Sequence, residues 1–176
     1  MKSPIQNDSL RISGATSEDL KPIAQHYAIE VNEGVATFDT TIPPPSYWEH
    51  KLEMAQLGDY PFLVARCAKP AHELSGWVSL SPYDSKAAYS RCAELSIYVL
   101  TTFQGKGIGR ALMESILHEV EMHPSIHTLI SRIVPTQTAS IRLHESLGFE
   151  LVGTMIGVGE KLGRLRDVAI YQFTSR

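Results

Sequence analysis

A chain of 176 residues is long enough to bury the core of one domain, and its 43% hydrophobic and 20% charged residues suit a globular protein. The formal net charge of -3 argues against a general nucleic-acid binder, which would be strongly basic. No stretch approaches the roughly 18 apolar residues of a membrane span, and the N-terminus has no apolar secretory core. We therefore expect a cytoplasmic protein with an N-terminal tail at 1–9 and one domain at 10–176.

The N-terminal third of the chain predicts one strand and two helices. The domain opens with a β-forming stretch, and residues 15–32 follow with cap residues, early acids and apolar positions at helical spacing. We expect Pro22 near the start of this helix, where its missing N–H costs little. A stiff run of prolines comes next. Ser46 and Glu49 then form a capping box, which predicts a second helix from about Tyr47.

The rest of the chain alternates β-forming runs with helical periodicity. In order, these patterns predict strands at 61–68, 74–82 and 92–100, a helix at 107–122, a strand at 126–134, a short helix at 138–149 closed by Gly148, and a hairpin of strands 150–157 and 165–174. The complete order, β-α-α-β-β-β-α-β-α-β-β, indicates a single mixed α/β domain with a central sheet and helices on its faces.

The cysteines and histidines give no sign of a metal site. Cys67 and Cys92 are far apart and fit no metal-binding or redox spacing, so we interpret both as buried free thiols. His123 and His127 have the spacing of a ligand pair, but Pro124 lies between them. We therefore expect both histidines in a loop and no bound metal.

A glycine-rich segment, Gln104 to Gly109, joins a predicted strand to a predicted helix. This geometry binds phosphates, because glycines let the backbone approach closely and the N–H groups of the helix N-terminus point at the anion. A Walker A loop is excluded, since Gly107 rather than Ser or Thr follows Lys106. A dinucleotide fingerprint is excluded as well, since residue 110 is Arg where that pattern needs Gly.

The pattern Q-x-x-G-x-G in this segment resembles the pyrophosphate loop of the GNAT superfamily, the acyl-CoA-dependent N-acetyltransferases. The later stretch TASIRLHESLGF resembles a second motif of that superfamily, with matches at Ser140, Ile141, Leu143, Gly148 and Phe149. Gln137 and His144 depart from the usual Asn and Tyr. The resemblance runs from about Leu10 to Phe173. It implies the GNAT fold, a single mixed sheet with helices on both faces and one splayed parallel pair of strands.

The resemblance also implies a site for acetyl-CoA as cosubstrate. The pantetheine arm should pair with the strand around Ser96 to Val99, and a backbone N–H near Ile97 would face the thioester oxygen. The expected cofactor-binding residues are Ile97, Tyr98, Val99, Gln104, Gly105, Lys106, Gly107, Ile108, Gly109, Arg110, Gln137 and Ser140.

Two side chains are candidates for proton transfer. Glu94 lies two residues before the splay and is the expected general base, acting directly or through a water. The alternative is a strand carboxylate paired with a surface base such as Arg91. His144 stands at the position of the usual Tyr and is expected to assist departure of the thiolate, and Tyr98 could share that role. The alternative for His144 is a packed histidine whose nitrogen bonds to the backbone.

A narrower resemblance is to the phosphinothricin and methionine sulfoximine acetyltransferase group, in GVATFDT, CAELSIYV, RLHESLGF and VGEKLGRLRDV. A histidine at position 144 is usual in that group. Its acceptors are small amino acids with a tetrahedral oxo side chain, which call for cations and hydrogen-bond donors. The expected substrate-binding residues are Lys86, Tyr89, Arg91 and Arg164, with Phe38 and Tyr83 as an apolar wall. The group also implies a homodimer.

Two other functions stay open. The chain could be a GNAT enzyme for another amine, such as a protein N-terminus, a polyamine or an antibiotic, because SPYDSKAAYSRCAE matches the group only loosely. It could also be a non-catalytic acyl-CoA sensor, but a sensor would keep the glycine loop and lose Glu94 and His144, and both are present.

Overall fold

The computed structural model describes residues 10–67, 73–122 and 125–175, so the predicted tail at 1–9 and His123 lie outside the described residues. The elements follow the predicted order. They are β1 (Leu10–Gly14), α1 (Ser17–Glu33), α2 (Pro45–Gln56), β2 (Phe62–Cys67), β3 (Glu73–Pro82), β4 (Cys92–Val99), α3 (Ile108–Met122), β5 (Thr128–Ile133), α4 (Thr138–Ser146), β6 (Glu150–Lys161) and β7 (Arg164–Thr174).

These strands form one mixed sheet in the order β1-β2-β3-β4-β5-β7-β6. β4 and β5 run parallel, and their other neighbours pair antiparallel. The β4–β5 ladder begins at Cys92 opposite Thr128 and ends at Glu94 opposite Ile130. Both strands continue past that point without pairing to each other, so they splay apart as the resemblance implied. The open wedge leaves the backbone of the second half of β4 facing a cleft instead of a strand.

The helices cover both faces of the sheet. In β3, a side chain at Gly76 would approach Leu112 of α3. The next residue, Trp77, stacks on Tyr98 at 4.9 Å between ring centroids, and Tyr98 in turn meets Tyr27 of α1 at 5.5 Å. Because successive strand residues point to opposite faces, α3 lies on one face and α1 on the other. Burying both faces removes most of the apolar strand side chains from water, which is the main driving force of the fold.

The first helix begins as predicted and carries its proline deeper than predicted. The Asp19 carboxylate accepts hydrogen bonds from the Thr16 backbone N–H at 2.8 Å and from its hydroxyl at 2.9 Å, and it also pairs with Arg66 of β2. This ties the start of α1 to the sheet. Pro22 lies in the second turn, where it removes the N–H that would bond to the Glu18 carbonyl. Pro22 is therefore near the start of α1 but past its first turn, so the expectation that its missing N–H costs little was wrong.

The predicted capping box of the second helix was also wrong. α2 begins at Pro45, with Pro44 as its N-cap and no side-chain capping bond. Proline suits the first helical position because its ring fixes φ and its missing N–H would have no helical partner there. Ser46 therefore lies within the first turn, and Glu49 has no cap residue to reach back to.

The terminal hairpin is longer than predicted. Lys161 pairs with Arg164, and the tight turn between them holds Leu162 and Gly163, both at positive φ (54° and 69°). Such a two-residue turn matches the twist of antiparallel strands. The register of β6 against β7 shifts between Met155 and Gly159, and the pairing then continues to Lys161. Residues 158–161, which follow the predicted end of the strand, therefore still belong to β6.

The remaining thiol and histidine predictions met different outcomes. Cys67 is buried as expected, Cys92 is only partly buried, and both are free thiols. His127 lies in the loop before β5, where its N–H donates to the Arg91 carbonyl at 2.8 Å. Across the described ranges, no three His, Cys, Asp or Glu side chains are grouped to hold a metal ion. Over the same ranges, no helix combines the length and apolar character of a membrane span.

Candidate active site

The glycine loop forms an open cradle at the N-terminus of α3. Gly105 and Gly107 have φ of +73° and +84°, a region that L side chains rarely adopt, and no atom lies within 4 Å of where a Cβ would stand. The Gln104 amide donates to the Val99 carbonyl at 3.1 Å and holds the loop against the end of β4. The first N–H groups of α3 lack helical partners, so the loop presents free donors and open space suited to an anion.

A cleft of about 500 Å³ runs from this loop along the splayed part of β4. All of the predicted cofactor-binding residues line it except Lys106 and Arg110. The Lys106 ammonium lies 4.9 Å from the centroid of the Phe103 ring, and Arg110 pairs with Glu114 at 3.3 Å and donates to Ser146 at 2.8 Å. The cleft therefore suits an extended ligand with a phosphate end.

A second cavity, of about 510 Å³, lies on the other side of the splay. It takes residues from α2, from β3 to β5, from α4 and from the segment 35–39, which we call the acceptor loop. The two cavities share Ala36, Ile97, Tyr98, Gln137 and Ser140 as lining residues. A ligand that extends along one cavity to the splay would therefore contact a ligand bound in the other cavity.

Glu94 lines the second cavity and forms an ion pair. Its Oε2 accepts a hydrogen bond from Nη1 of Arg132 at 2.6 Å, and the Arg132 guanidinium lies 5.7 Å from the centroid of the Tyr83 ring. From the sequence, the possible partner of this carboxylate was Arg91. Arg132 is on β5, two residues beyond Ile130, where the β4–β5 ladder ends, so the parallel pairing brings the two charges together.

His144 is fully buried at 1% exposure and bonded at both nitrogens. Nδ1 lies 2.8 Å from the Ser140 carbonyl oxygen, and Nε2 lies 3.1 Å from the Ser131 hydroxyl. A carbonyl oxygen only accepts, so Nδ1 carries the proton and Nε2 accepts from Ser131 in the neutral ring. Burial lowers the pKa of His144, although the bond to Ser140 opposes that shift. This geometry matches the packed-histidine alternative, yet His144 and Ser131 both line the second cavity.

Glu94 and His144 reach the splay from opposite faces of the sheet. On β4, Glu94 shares a face with Tyr98, whose ring packs against α1. On β5, His144 bonds to Ser131, and Ser131 points away from the face that Arg132 shares with Glu94. In a fully paired sheet the backbone would separate the two groups. The splay makes a common cavity possible.

A buried network holds the acceptor loop in place. The Tyr27 hydroxyl donates to Asp39 Oδ2 at 2.7 Å and lies 2.6 Å from the Thr37 hydroxyl. Burial, together with the nearby carboxylate, raises the pKa of Tyr27 above its ordinary value, so it stays a donor. Burial also raises the pKa of Tyr98, whose hydroxyl donates to the Ala36 carbonyl at 3.4 Å. Both tyrosines therefore stay neutral and stabilise the loop through their hydrogen bonds.

Lys161 links the terminal hairpin to the same loop. This lysine is only 2% exposed, and its ammonium donates to the Val31 carbonyl at 2.7 Å and to the Asp39 carbonyl. Val31 lies in the last turn of α1, whose carbonyls lack helical partners, so the cation also suits the helix C-terminus. A side chain at Gly159 would collide with the Phe38 ring. The segment VGEKLGR, quoted above only as a resemblance, therefore supports the acceptor loop.

The predicted acceptor residues are divided between the cavity and the surface. Phe38 lines the second cavity, whereas Tyr83, Lys86, Tyr89, Arg91 and Arg164 are outside its lining. Tyr83 and Tyr89 contact each other at 5.4 Å, and Arg164 is exposed at the end of the hairpin. The charged residues that do line the cavity are Asp39, Lys51, Glu94 and Arg132. The sequence singled out Glu94, but the signal for Lys51 and Arg132 was weak, because both are typical of ordinary charges on a helix and a strand.

Comparisons with known proteins show which chains this one is similar to. Residues 12–170 match the family described as acetyltransferase (GNAT) domain. The chain is 35% identical to a phosphinothricin N-acetyltransferase of Streptomyces coelicolor, over 93% of this chain and 95% of that protein. It is also 35% identical to an L-methionine sulfoximine/L-methionine sulfone acetyltransferase of Salmonella typhimurium, over 68% of each chain. A phosphinothricin acetyltransferase of Sinorhizobium meliloti, solved with acetyl-CoA, superposes with a TM-score of 0.85 at 30% identity, over 94% and 88% of the two chains.

Proposed function

The chain belongs to the GNAT acetyltransferase family, and from this premise we propose that it transfers an acetyl group from acetyl-CoA to the primary amine of a small amino-acid-like acceptor. The observation that carries the proposal is the meeting of two cavities at the splay of β4 and β5. One cavity ends in a glycine cradle for phosphates, and the other contains charges of both signs. A thioester in the first and an amine in the second would be held within reach of each other, which lowers the entropic barrier to transfer.

The cleft beside the glycine loop fits acetyl-CoA. At Gly107 the space that a Cβ would fill is open, so the backbone can approach a pyrophosphate closely. Beyond Glu94 the β4 backbone has no partner in β5, so it can pair with the amide groups of a pantetheine arm. Within that stretch the N–H of Ile97 would stabilise the negative charge that develops on the thioester oxygen.

Glu94 serves as the general base. Its carboxylate takes the proton that the attacking amine must lose, directly or through one water. Arg132 holds one oxygen of that carboxylate at 2.6 Å and so fixes its orientation toward the splay. The α-amine of a peptide has a pKa of about 8, and the charged carboxylate of a free amino acid raises it further, so nearly all of the acceptor is ammonium at pH 7 and its amine needs the base.

His144 assists the departing thiolate through Ser131. The neutral ring has its proton on Nδ1, so a proton for the thiolate requires the imidazolium form. Burial disfavours that form, so the ring has to take up a proton from solvent as the thiolate leaves; Nε2 then donates to the Ser131 oxygen, and the Ser131 hydroxyl donates to the sulfur, which restores the neutral ring. Tyr98, the other candidate for this proton, is a weaker acid than usual because burial raises its pKa, and its hydroxyl donates to the Ala36 carbonyl, so His144 is the better candidate.

The acceptor class follows from the charges in the second cavity. An amino acid brings an ammonium and a carboxylate, and Asp39, Glu94, Lys51 and Arg132 offer partners for both. Phosphinothricin, methionine sulfoximine and methionine sulfone carry the same zwitterion with a tetrahedral oxo group. The Streptomyces and Salmonella relatives are named for these acceptors, which supports the choice.

A panel of acceptors tests the proposed function. We expect release of CoA thiol from acetyl-CoA with phosphinothricin, methionine sulfone and methionine sulfoximine. Little release is expected with a peptide, spermidine or an aminoglycoside, because the cavity is small and holds two cations. Turnover confined to the last three acceptors would contradict the amino-acid proposal and favour a GNAT enzyme for another amine. No turnover with any acceptor, despite acetyl-CoA binding, would favour the sensor.

We also propose a homodimer formed through the edge strand β6 and the start of β7. Large apolar side chains are exposed there, among them Ile156 at 78% and Leu165 at 71%. A long apolar sheet edge left in water would promote association. Met155 and Val158 of the same strand also line the second cavity, so a second copy of the chain would lie beside the acceptor.

Replacing Ile156 by Glu is expected to convert the dimer into a monomer. The carboxylate would be desolvated at the centre of the interface, which costs several kcal/mol. Light scattering after size-exclusion chromatography should give about twice the 19.5 kDa chain mass for the unmodified protein and the single mass for the variant. Leu57→Glu, at a leucine 68% exposed on another surface, is the matched control and should remain a dimer. An unmodified protein of single mass would contradict the dimer.

A further inference from the structure

Lys51 of α2 projects into the second cavity, although no pattern in the sequence singled it out. We propose that Lys51 binds the α-carboxylate of the acceptor and so makes the enzyme selective for amino acids over simple amines. The proposal rests on the proposed function and assigns its acceptor preference to one side chain.

The first argument is that the Lys51 ammonium has donors to spare. Within the described ranges its one hydrogen bond is a long one, 3.4 Å to the Ser79 hydroxyl, and its other close contact is the Tyr47 ring at 5.5 Å. No carboxylate of those ranges forms an ion pair with it. Arg132, the other cation of the cavity, is already committed to Glu94. Lys51 is therefore the cavity's cation with room for an anionic ligand.

The second argument is that Lys51 is partly shielded from water. Burial lowers the pKa of its ammonium, and the charges of Glu94 and Asp39 oppose this shift without contact. A cation that has lost hydration and gained no direct partner is destabilised. An incoming carboxylate would supply charge-assisted hydrogen bonds where water has already been removed, which makes the contact strong.

The third argument is the register of the sheet. Ser79, which Lys51 contacts, lies opposite Ser96 in the β3–β4 ladder. Ser96 is next to Ile97, whose N–H faces the cleft, and Glu94 lies on the same face about 7 Å further down the strand. In an amino acid the carboxylate and the amine share one carbon. A carboxylate held over Ser96 therefore leaves the amine between Glu94 and the splay, while the side-chain oxo group extends away.

Two acceptors that differ only in the carboxylate test this assignment. They are methionine sulfone and 3-(methylsulfonyl)propan-1-amine, each assayed with acetyl-CoA. We expect Lys51→Met to raise the KM for methionine sulfone by about 10- to 100-fold, the range for a lost charged hydrogen bond. The KM values for the decarboxylated amine and for acetyl-CoA should stay within about twofold. Lys51→Arg keeps the charge and should recover most of the affinity. Lys21→Met changes an exposed lysine outside the cavity and should have no effect.

The outcomes separate this proposal from the proposed function. An unmodified enzyme with no preference for methionine sulfone over the decarboxylated amine would contradict the acceptor class itself. A clear preference that survives in Lys51→Met would contradict the role of Lys51 alone. An equal rise in the KM for methionine sulfone and for the decarboxylated amine would also contradict it, because Lys51 would then act in folding or proton transfer. Lys51→Met should raise the KM for methionine, which lacks the sulfone, as much as the KM for methionine sulfone. A rise confined to methionine sulfone would mean that Lys51 contacts the side-chain oxo group, and it would contradict the proposal.

Discussion

Replacing Glu94 by Gln is expected to lower kcat for methionine sulfone by about 100- to 1,000-fold at pH 7, the range for loss of a general base. The amide has the shape of the carboxylate and can still accept a hydrogen bond from Arg132, so the cavity should keep its form. It cannot take a proton from the amine. As the pH rises, the amine loses its proton to solvent, so the deficit of the variant should shrink toward pH 9.

Initial rates between pH 6 and 9.5, measured by CoA thiol release, would check this. Glu53→Gln makes the same change at an exposed carboxylate of α2 that pairs with His50 at 3.7 Å, and it should keep the parent rate. Melting temperatures of both variants would confirm that they fold. Full activity of Glu94→Gln at pH 7 would remove Glu94 as the base and leave its pair with Arg132 as a structural contact.

Replacing Gly107 by Val is expected to raise the KM for acetyl-CoA by about 10- to 100-fold. The new side chain would enter the open space beside the N-terminus of α3, where a pyrophosphate would have to approach the backbone. A β-branched residue is also strained at the φ of +84°, which would cost about 1–3 kcal/mol or shift the loop. Both effects weaken the anion cradle, and neither touches the second cavity.

Gly58 provides a matched control for the strain. It has a φ of +83°, and nothing lies within 4 Å of where its Cβ would stand, but it follows α2 far from the glycine loop in sequence. Gly58→Val should lower the melting temperature about as much as Gly107→Val and leave the KM for acetyl-CoA unchanged. An unchanged KM in Gly107→Val, or an equal rise in both variants, would argue against the loop as the pyrophosphate site.

The parts that the sequence predicted well depend on local rules. Gly107 needs positive φ, and the helix at 108–122 has one apolar stripe, so the cradle could be predicted from residues that are neighbours in the chain. The order of helices and strands along the chain followed from the apolar periodicity of each segment. The local errors arose where two local signals competed: at α2, the capping signal of Ser46 and Glu49 gave way to the proline at the first helical position.

The sequence by itself determined the glycine loop before α3 and the order of elements, and it predicted Glu94 near the splay. Only the tertiary structure decided the partner of each charge. Glu94 and Arg132 are 38 positions apart, and Lys161 reaches a carbonyl 130 positions away. Such contacts depend on which strands pair and which helix covers which face, and one strand's periodicity does not carry that information. The second cavity is built from these long-range contacts, so its lining could be identified only from the fold.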